Sequence, residues 1–279
     1  MTPNFQRHAV ITTSIAICCL HAYADVPTLN SQSEASTPRE PSIFGERTEL
    51  TVGIGLGYAA RYPGAAIAHV LPVPVLAIQR GVLFADTLRG IGLQFQSSSG
   101  LYVSQSVYYD FGRLDRDNRW RPGSDRLAGM GEVPGSPTSH TILAQQLTPS
   151  LLVSAETEAA LHEGARRNRY RLGVELTPIK TAPDTVTIDL DAWWGDGRYN
   201  QAYFGVTPPQ AARTTHPVYR LGAGLYGLVP GVGWEHHLDS HWAWTLQLTG
   251  TYYAGKVAVS PVVAKRVSSS SSAAIAYIF

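Results

Sequence analysis

Alternation of apolar and polar residues is the feature that most limits what this chain can fold into. Val52, Ile54 and Leu56 alternate with Gly53 and Gly55. Because successive side chains of a strand point to opposite faces, this period of two predicts a strand with one apolar face. The same pattern returns in residues 91–96, 169–176, 186–192 and 242–249. The chain is therefore predicted to be all-β.

The start of the chain has the pattern of a secretory signal peptide. An apolar run follows Arg7, and Ala22-Tyr23-Ala24 places small residues at the two positions that a signal peptidase reads. The run covers about 12 residues, whereas a transmembrane helix needs roughly 20. We therefore expect residues 1–24 to be removed between Ala24 and Asp25. A lipid-modified cysteine is the weaker alternative, because Ile17 precedes Cys18 where a small residue is needed.

Removal of the signal leaves a chain without cysteine and without net charge. Both cysteines and Arg7 belong to the signal, so 21 of the 22 lysines and arginines remain against 21 acidic residues. Disulfides and thiolate metal sites are then excluded, and no basic excess favours nucleic acid as a partner. Residues 25–47 are rich in proline, serine and charge, which predicts a flexible periplasmic arm before a barrel at 48–279.

Twelve strand-like segments divide the rest of the chain. They begin near Glu49, Val70, Val82, Gly90, Leu101, His140, Ser150, Asn168, Thr185, Val218, Trp242 and Ser271. An even number of strands returns both ends of a barrel to the periplasm, where turns are short, and leaves the long loops outside. Residues 114–139, 195–217 and 255–270 are therefore expected to be extracellular. The predicted fold is an antiparallel transmembrane β-barrel of about 12 strands in the outer membrane.

The final residues add a signal that alternation alone does not carry. Ile275, Tyr277 and Phe279 lie at two-residue spacing, so the last strand presents an apolar stripe that ends in an aromatic residue. A soluble β-sandwich also alternates, but the stripe occurs here together with a signal peptide and a cysteine-free mature chain. We expect the stripe to be an assembly signal for the barrel assembly machinery, with outer-membrane lipid around the finished barrel.

Charged residues on the polar faces of adjacent strands should point into this barrel. The set, called the lumen charge cluster below, is Glu156, Glu158, Arg169, Arg171, Glu175, Asp189 and Asp191. Opposite charges on neighbouring strands can pair across a sheet. An ion-selective lumen and a closed plug of paired charges both stay open as interpretations. The modest lumen of about twelve strands favours the plug.

Tryptophan and histidine support weaker hypotheses. Five tryptophans could form a carbohydrate platform, but an interfacial girdle is favoured; they are Trp193, Trp194, Trp234, Trp242 and Trp244. His236, His237 and His241 flank a short turn, where solvated side chains are expected rather than a metal site. No histidine accompanies a recognisable nucleophile motif. We therefore expect no enzyme activity, no cofactor and no metal.

Several short motifs occur in the order and spacing of a known family. They are Gly53-Ile54-Gly55-Leu56-Gly57, Tyr62-Pro63-Gly64, Leu71-Pro72-Val73-Pro74, Tyr203-Phe204-Gly205-Val206-Thr207, Ser260-Pro261-Val262-Val263 and Tyr277-Ile278-Phe279. Through them the chain resembles the MipA/OmpV outer-membrane proteins over nearly all of its mature length. Ala60 and Arg61 depart from the family pattern, which usually has a proline and an acidic residue there.

The resemblance implies a function that periodicity does not show. It implies a scaffold that docks peptidoglycan-remodelling enzymes, a periplasmic lytic transglycosylase (a murein hydrolase) and a murein synthase. A narrow outer-membrane pore or uptake channel is the alternative, and a lipid-modifying enzyme is a formal third possibility.

We predict that the mature protein begins at Asp25, because Ala22-Tyr23-Ala24 fits the peptidase. N-terminal sequencing and intact mass of the membrane-extracted protein check this. A mature chain that starts at a lipid-bearing Cys18 would contradict it.

Overall fold

The computed structural model describes residues 43–45 and 47–279. The signal peptide, the cleavage site at Ala24 and Asp25, and nearly all of the arm lie outside the described residues.

Twelve strands and two short helices make up the fold. The strands are β1 (Glu49–Ala60), β2 (Ala68–Arg80), β3 (Leu83–Asp86), β4 (Gly90–Gln96), β5 (Leu101–Asp110), β6 (Ser136–Thr148), β7 (Leu151–Ala160), β8 (Asn168–Lys180), β9 (Asp184–Gly195), β10 (Gly224–His237), β11 (Trp242–Tyr253) and β12 (Val267–Ile278). The helices α1 (Gly197–Phe204) and α2 (Pro208–Ala211) both lie between β9 and β10. No helix in the described part of the chain is long and apolar enough to cross a membrane.

The strands form one closed antiparallel barrel, as the sequence predicts. Each strand pairs with its sequence neighbours, and β1 closes on β12 with Val52 opposite Tyr277. Along β1, Ile54 is 64% exposed and Leu56 61%, whereas Thr51 is 5% exposed. Large apolar side chains thus point outward around a polar interior. This arrangement is typical of a barrel whose outer face contacts lipid, so the alternation indicates that the barrel is inserted in a membrane.

The connections separate the two ends of the barrel. Residues 81–82, 97–100, 149–150, 181–183 and 238–241 form short turns at the end where β1 begins and β12 ends. The opposite end carries the loops 111–135, 196–223 and 254–266, together with shorter connections. Because short turns mark the periplasmic end of such barrels, the long loops are extracellular, as expected from the sequence.

Three strand starts differ from the sequence prediction. Strand β6 begins at Ser136 rather than near His140, and β12 at Val267 rather than near Ser271. The extra positions are mostly serine and threonine, so no apolar alternation marks them. Strand β10 begins at Gly224 rather than near Val218, because Tyr219 instead pairs with Val206 inside the preceding loop.

Outward-facing aromatic residues form a band at each end of the barrel, but Trp193 does not belong to either. Tyr58, Tyr109, Tyr170, Trp194 and Tyr252 lie near the extracellular ends of their strands, and Phe95, Trp234, Trp242, Trp244 and Tyr277 near the periplasmic ends. Trp193 is only 9% exposed and packs inside the barrel. The girdle prediction is therefore wrong for Trp193, which shares the inward face of Asp189 and Asp191 on β9.

The barrel wall is low at β3 and β4. Strand β2 pairs with β3 only from Ala77 to Arg80, so its upper part has no strand on that side. Two features reduce the number of unsatisfied backbone groups on this edge of β2. Thr87 donates its N–H to Leu76 O (3.0 Å) and its Oγ1 to Pro74 O (3.0 Å). Because a strand residue points its N–H and C=O to one side, Pro74, and Pro72 two residues before it, place their missing N–H groups on the unpaired edge.

We predict that Phe279→Ala lowers the amount of assembled barrel several-fold while leaving inserted barrels normally folded. Phe279 is 69% exposed beyond the end of β12, and its N–H donates to Leu50 O at 2.9 Å. Burying a whole large side chain contributes only about 1.5 to 3 kcal/mol, so a large loss would reflect assembly rather than packing. The outer-membrane fraction and heat-modifiable gel mobility measure the two effects.

Phe95→Ala is the matched control, because Phe95 is 58% exposed near the periplasmic end of β4, away from the last strand. Equal losses for both variants would remove the assembly-signal hypothesis.

Candidate functional site: a filled lumen

The lumen charge cluster lies inside the barrel on β7, β8 and β9. Six of its residues are buried, and the Arg169 side chain is 32% exposed. Strand register explains the grouping, because Glu156 stands opposite Arg171, and Glu158 opposite Arg169. On the other side of β8, Glu175 stands opposite Asp189. Cross-strand pairing therefore sets which charges meet.

The two arginines bind three of the five carboxylates. Arg171 donates Nη2 and Nε to Glu156 Oε2 at 2.7 and 3.0 Å, and Nη1 to Asp191 Oδ1 at 2.7 Å. Arg169 donates to both oxygens of Glu158, at 2.7 and 2.8 Å. The side chains of Arg171, Glu156 and Asp191 are at most 2% exposed. These geometries are those of charge-assisted bonds, which hold the three strands to each other through the lumen.

Two residues that the sequence analysis did not assign complete this network. His140 Nε2 lies 2.9 Å from Glu156 Oε1, and Tyr108 donates its hydroxyl proton to Glu158. His140 stands opposite Glu158 on β7, so its contact with Glu156 is a diagonal one to the next inward-facing residue of that strand. Pairing β6 with β7 across their two-residue turn is the sequence signal that would have placed His140 there.

His140, Glu156 and Glu158 could also hold a metal ion by position. One donor atom from each lies within 4.8 Å of the others, and all three side chains are buried. However, Arg171 and Arg169 already bind the two carboxylates. The donor set therefore fits a network of ion pairs better than a metal centre.

Glycine makes room for two of the carboxylates. Gly173 stands opposite Asp191, and a Cβ there would lie 2.4 Å from Asp191 Oδ1. Gly231 stands opposite Asp189, and its Cβ would lie 2.5 Å from Asp189 Oδ2. Each aspartate thus extends over a glycine on the next strand. A larger residue at either position would displace the carboxylate.

Helix α1 folds inward above the charge network. Asp196 caps its first turn by accepting from Tyr199 N at 2.6 Å, and also accepts from Asn168 N of β8 at 2.9 Å. Asn200 donates to the carbonyl oxygens of Gly195, Gly222 and Gly224 at 2.9 to 3.3 Å. One buried amide therefore joins both ends of the 196–223 loop to the barrel wall.

An aromatic cluster fills the extracellular half of the lumen around α1. Its buried members include Trp193, Tyr199, Tyr203, Phe204, Tyr226 and Tyr253. Tyr199 and Tyr226 stack with ring centroids 5.3 Å apart, and the Arg169 guanidinium lies 4.7 Å from the Trp193 centroid. The cluster therefore rests directly on the charge network, and together their side chains occupy the lumen along β7 to β10.

Two arginines from other loops hold the end of α1. Arg113, 1% exposed, donates to Tyr203 O at 2.7 Å and to Ala202 O at 3.3 Å, where the helix dipole is negative. Burial lowers the pKa of the Arg113 guanidinium from its ordinary value, and the nearby Tyr203 hydroxyl opposes this. The Arg167 guanidinium lies 5.6 Å from the Tyr203 ring centroid and binds Asp110 at 2.8 Å. The loops 111–135 and 161–167 thus fix the plug in place.

The three clustered histidines of the periplasmic end do not converge. His236 contacts Asp184 at 2.8 Å, and His237 contacts Glu235 at 2.9 Å. His241 Nδ1 lies 2.9 Å from Ser240 Oγ. Asp239 accepts from the backbone N–H groups of His241 and Trp242, which lowers the pKa of its carboxyl. Its carboxylate is therefore engaged by backbone rather than by the imidazole ring, unlike the acid of a Ser-His-Asp triad.

Comparison with known proteins gives the family. A sequence model described as MltA-interacting protein MipA matches residues 52–279. The chain belongs to the MipA family. The match covers every strand of the barrel except the first residues of β1. The recognition made from short motifs is therefore confirmed, and with it an outer-membrane β-barrel.

Solved structures similar to this MipA family member are outer-membrane channels with little sequence in common. The NanC porin is 10% identical, with 82% of this chain and 98% of that chain covered and a TM-score of 0.43. An outer membrane channel from Pseudomonas putida F1 is 10% identical, with 87% and 100% covered and a TM-score of 0.45. No curated protein matches the chain.

We predict that Arg171→Met lowers the free energy of unfolding by about 3 to 5 kcal/mol, because it leaves Glu156 and Asp191 buried without their guanidinium. Urea titration of the barrel in lipid vesicles measures this. The triple variant Arg171→Met, Glu156→Gln, Asp191→Asn should recover much of the loss, because it removes the stranded charges. Arg80→Met, at an exposed position of β2, is the control. A wild-type unfolding midpoint for Arg171→Met would show that the pairs do not stabilise the barrel.

Proposed function

We propose that this protein is a non-enzymatic outer-membrane scaffold that docks peptidoglycan-remodelling enzymes, a lytic transglycosylase and a murein synthase, at its periplasmic end. The observation that carries the proposal is the filled lumen. A barrel whose interior is occupied by an ion-pair network and an aromatic plug is suited to anchoring and presenting a surface. The family description, an MltA-interacting protein, supports a murein hydrolase as one partner.

The same observation argues against the alternative, a pore or uptake channel. Helix α1 and its aromatic cluster occupy the extracellular half of the lumen, and Arg113 holds that helix by its last carbonyl groups. Moving the plug would unpair a buried guanidinium, which is costly. A solute path through this barrel would need that rearrangement.

The arm and the rim of the periplasmic end are the surfaces that a periplasmic enzyme can reach. In the described part of the arm, Ile43 contacts the β2–β3 turn, where Val82 N donates to Ile43 O at 3.1 Å. Ile43, Leu238 and Phe279 are 57 to 69% exposed at this end. Among aspartate, glutamate, lysine and arginine, the five short turns contain Asp239 alone. The turns of the proposed docking surface are therefore nearly uncharged, with exposed Glu49, Arg80 and Lys180 at the strand ends beside them and a polar arm nearby.

We predict that deleting residues 26–40 weakens capture of a purified lytic transglycosylase and murein synthase by the immobilised, detergent-solubilised barrel. The arm offers chain that can order on a partner, and its deletion leaves every barrel strand intact. A variant with the same residues in scrambled order controls for length and composition. Surface plasmon resonance gives the affinities, and gel mobility shows that the barrels are folded.

Two other results would overturn the proposal. If shortening the 111–135 loop abolishes capture and deleting the arm does not, the partner binds the extracellular end of the barrel. Stable conductance of the wild-type barrel in planar bilayers, together with no binding of either enzyme, would favour the pore.

A further inference from the structure

The charges of this barrel are divided unequally between its two ends. The connections at the extracellular end contain fifteen of the 22 lysines and arginines but only six of the 21 acidic residues. The five periplasmic turns contain one acidic residue and no basic one. The extracellular end is therefore strongly cationic on a chain that is nearly neutral as a whole.

The excess is concentrated over β9 to β12. The loops 196–223 and 254–266 carry six basic residues, which are Arg198, Arg213, Arg220, Lys256, Lys265 and Arg266. All six are exposed, and none forms an ion pair with another described residue. The one acid in these loops, Asp196, accepts from the backbone at Tyr199 and Asn168. We call these six residues the cationic sector.

Another extracellular loop shows what balanced charge looks like in this protein. The 111–135 loop has five arginines and four acids. There Arg116 pairs with Glu132 at 2.8 Å, and Asp117 pairs with Arg61 at 3.5 Å. The loop thus carries nearly equal numbers of basic and acidic residues, and both Glu132 and Asp117 are paired with arginine. The cationic sector does not, so it needs an external anion or stays solvated.

Contacts between loops anchor three members of the sector and bring two of them near one another. Tyr219, next to Arg220, donates its hydroxyl proton to Lys256 O at 2.7 Å. Lys265 N donates to Gly64 O at 3.1 Å, which holds the end of the same loop to the β1–β2 connection. These basic side chains therefore come from well-anchored backbone. Arg213 and Arg266 each donate Nε to a nearby carbonyl oxygen, at 3.2 and 3.1 Å, and no described carboxylate pairs with any of the six.

The sector also lies at a defined height on the barrel. Tyr252 and Trp194 point outward near the extracellular ends of β11 and β9, where aromatic residues mark the membrane interface. Lys256 follows Tyr252 shortly in sequence, in the loop just beyond, whereas Arg198 lies on the inward-folded helix α1. Lys256, with Arg220 held near it through Tyr219, is therefore placed beside the headgroups of the outer leaflet, which in a Gram-negative outer membrane are phosphorylated glycolipids.

We propose that the cationic sector binds the phosphate groups of these outer-leaflet glycolipids and so fixes one side of the barrel to the leaflet. Guanidinium and ammonium groups both bind phosphate through charge-assisted hydrogen bonds. The partner is a lipid rather than a protein, because the unpaired charge sits at headgroup height and is of one sign. This inference is independent of the docking of murein enzymes.

The test is binding of bisphosphorylated lipid A to the purified full barrel in non-ionic detergent, compared with lipid A whose phosphates have been removed. The variant is Arg220→Gln, Lys256→Gln, Lys265→Gln, whose side chains make no described hydrogen bond. Each basic residue near a charged surface contributes on the order of a factor of five in affinity, so the variant should bind about 100-fold more weakly at low salt. Wild-type binding should also weaken as salt rises.

The matched control is Arg116→Gln, Arg119→Gln, Arg166→Gln, which removes the same charge from exposed positions of other extracellular loops. We expect its affinity for lipid A to change less than threefold. Equal losses in the two variants would overturn the proposal, because net charge alone would then explain binding. Equal binding of dephosphorylated lipid A, or competition by millimolar inorganic phosphate without any preference for the lipid, would overturn it as well.

Discussion

Every backbone N–H and C=O group of the wall must find its partner within the chain, because hydrocarbon offers none. Closure of β1 on β12 meets this requirement, and the other features depend on it. It fixes an even number of strands, places both ends of the wall in the periplasm and turns the apolar face of each strand outward. It also leaves the opposite faces enclosed, so polar residues that would be solvated in an open sheet have to satisfy one another.

The interior is therefore organised by strand register. Arg171 reaches Glu156 on one neighbour and Asp191 on the other because β8 lies between β7 and β9. Above this layer, Arg169 contacts both Glu158 and the ring of Trp193, which joins the ion pairs to the aromatic plug. A change in the register of any of these strands would separate charges and unseat α1 together. The same contacts that stabilise the barrel also close it, which links the fold to a scaffold role.

The alternation of apolar and polar residues predicts the strands of the barrel wall well. It predicts only some of the side chains that occupy the lumen. The alternation of β8 and β9 predicts the inward position of five of the seven charged residues, and the two-residue spacing of Glu156 and Glu158 on β7 predicts that of the others. Residue type alone predicts an interfacial position for Trp193, whereas its two-residue spacing from Asp191 and Asp189 predicts the inward position that the structure shows. The position of His140 in the lumen could be predicted only from the pairing of β6 with β7. Helix α1 could not be predicted, because Arg113 and Asn200 hold it through contacts between distant loops.

Because β3 is short, the height of the barrel wall that faces the membrane differs around the barrel. Four residues span about 13 Å, whereas the hydrocarbon of a bilayer is about 30 Å thick. Beside β3, lipids therefore contact the unpaired, proline-containing edge of β2, whereas elsewhere they contact paired strands. The bilayer must become thinner beside β3 to match the shorter wall. Such a mismatch acts on one side of the molecule only. The surrounding bilayer is then asymmetric around the barrel, and two copies that approach through their thinned sides share one membrane deformation instead of making two.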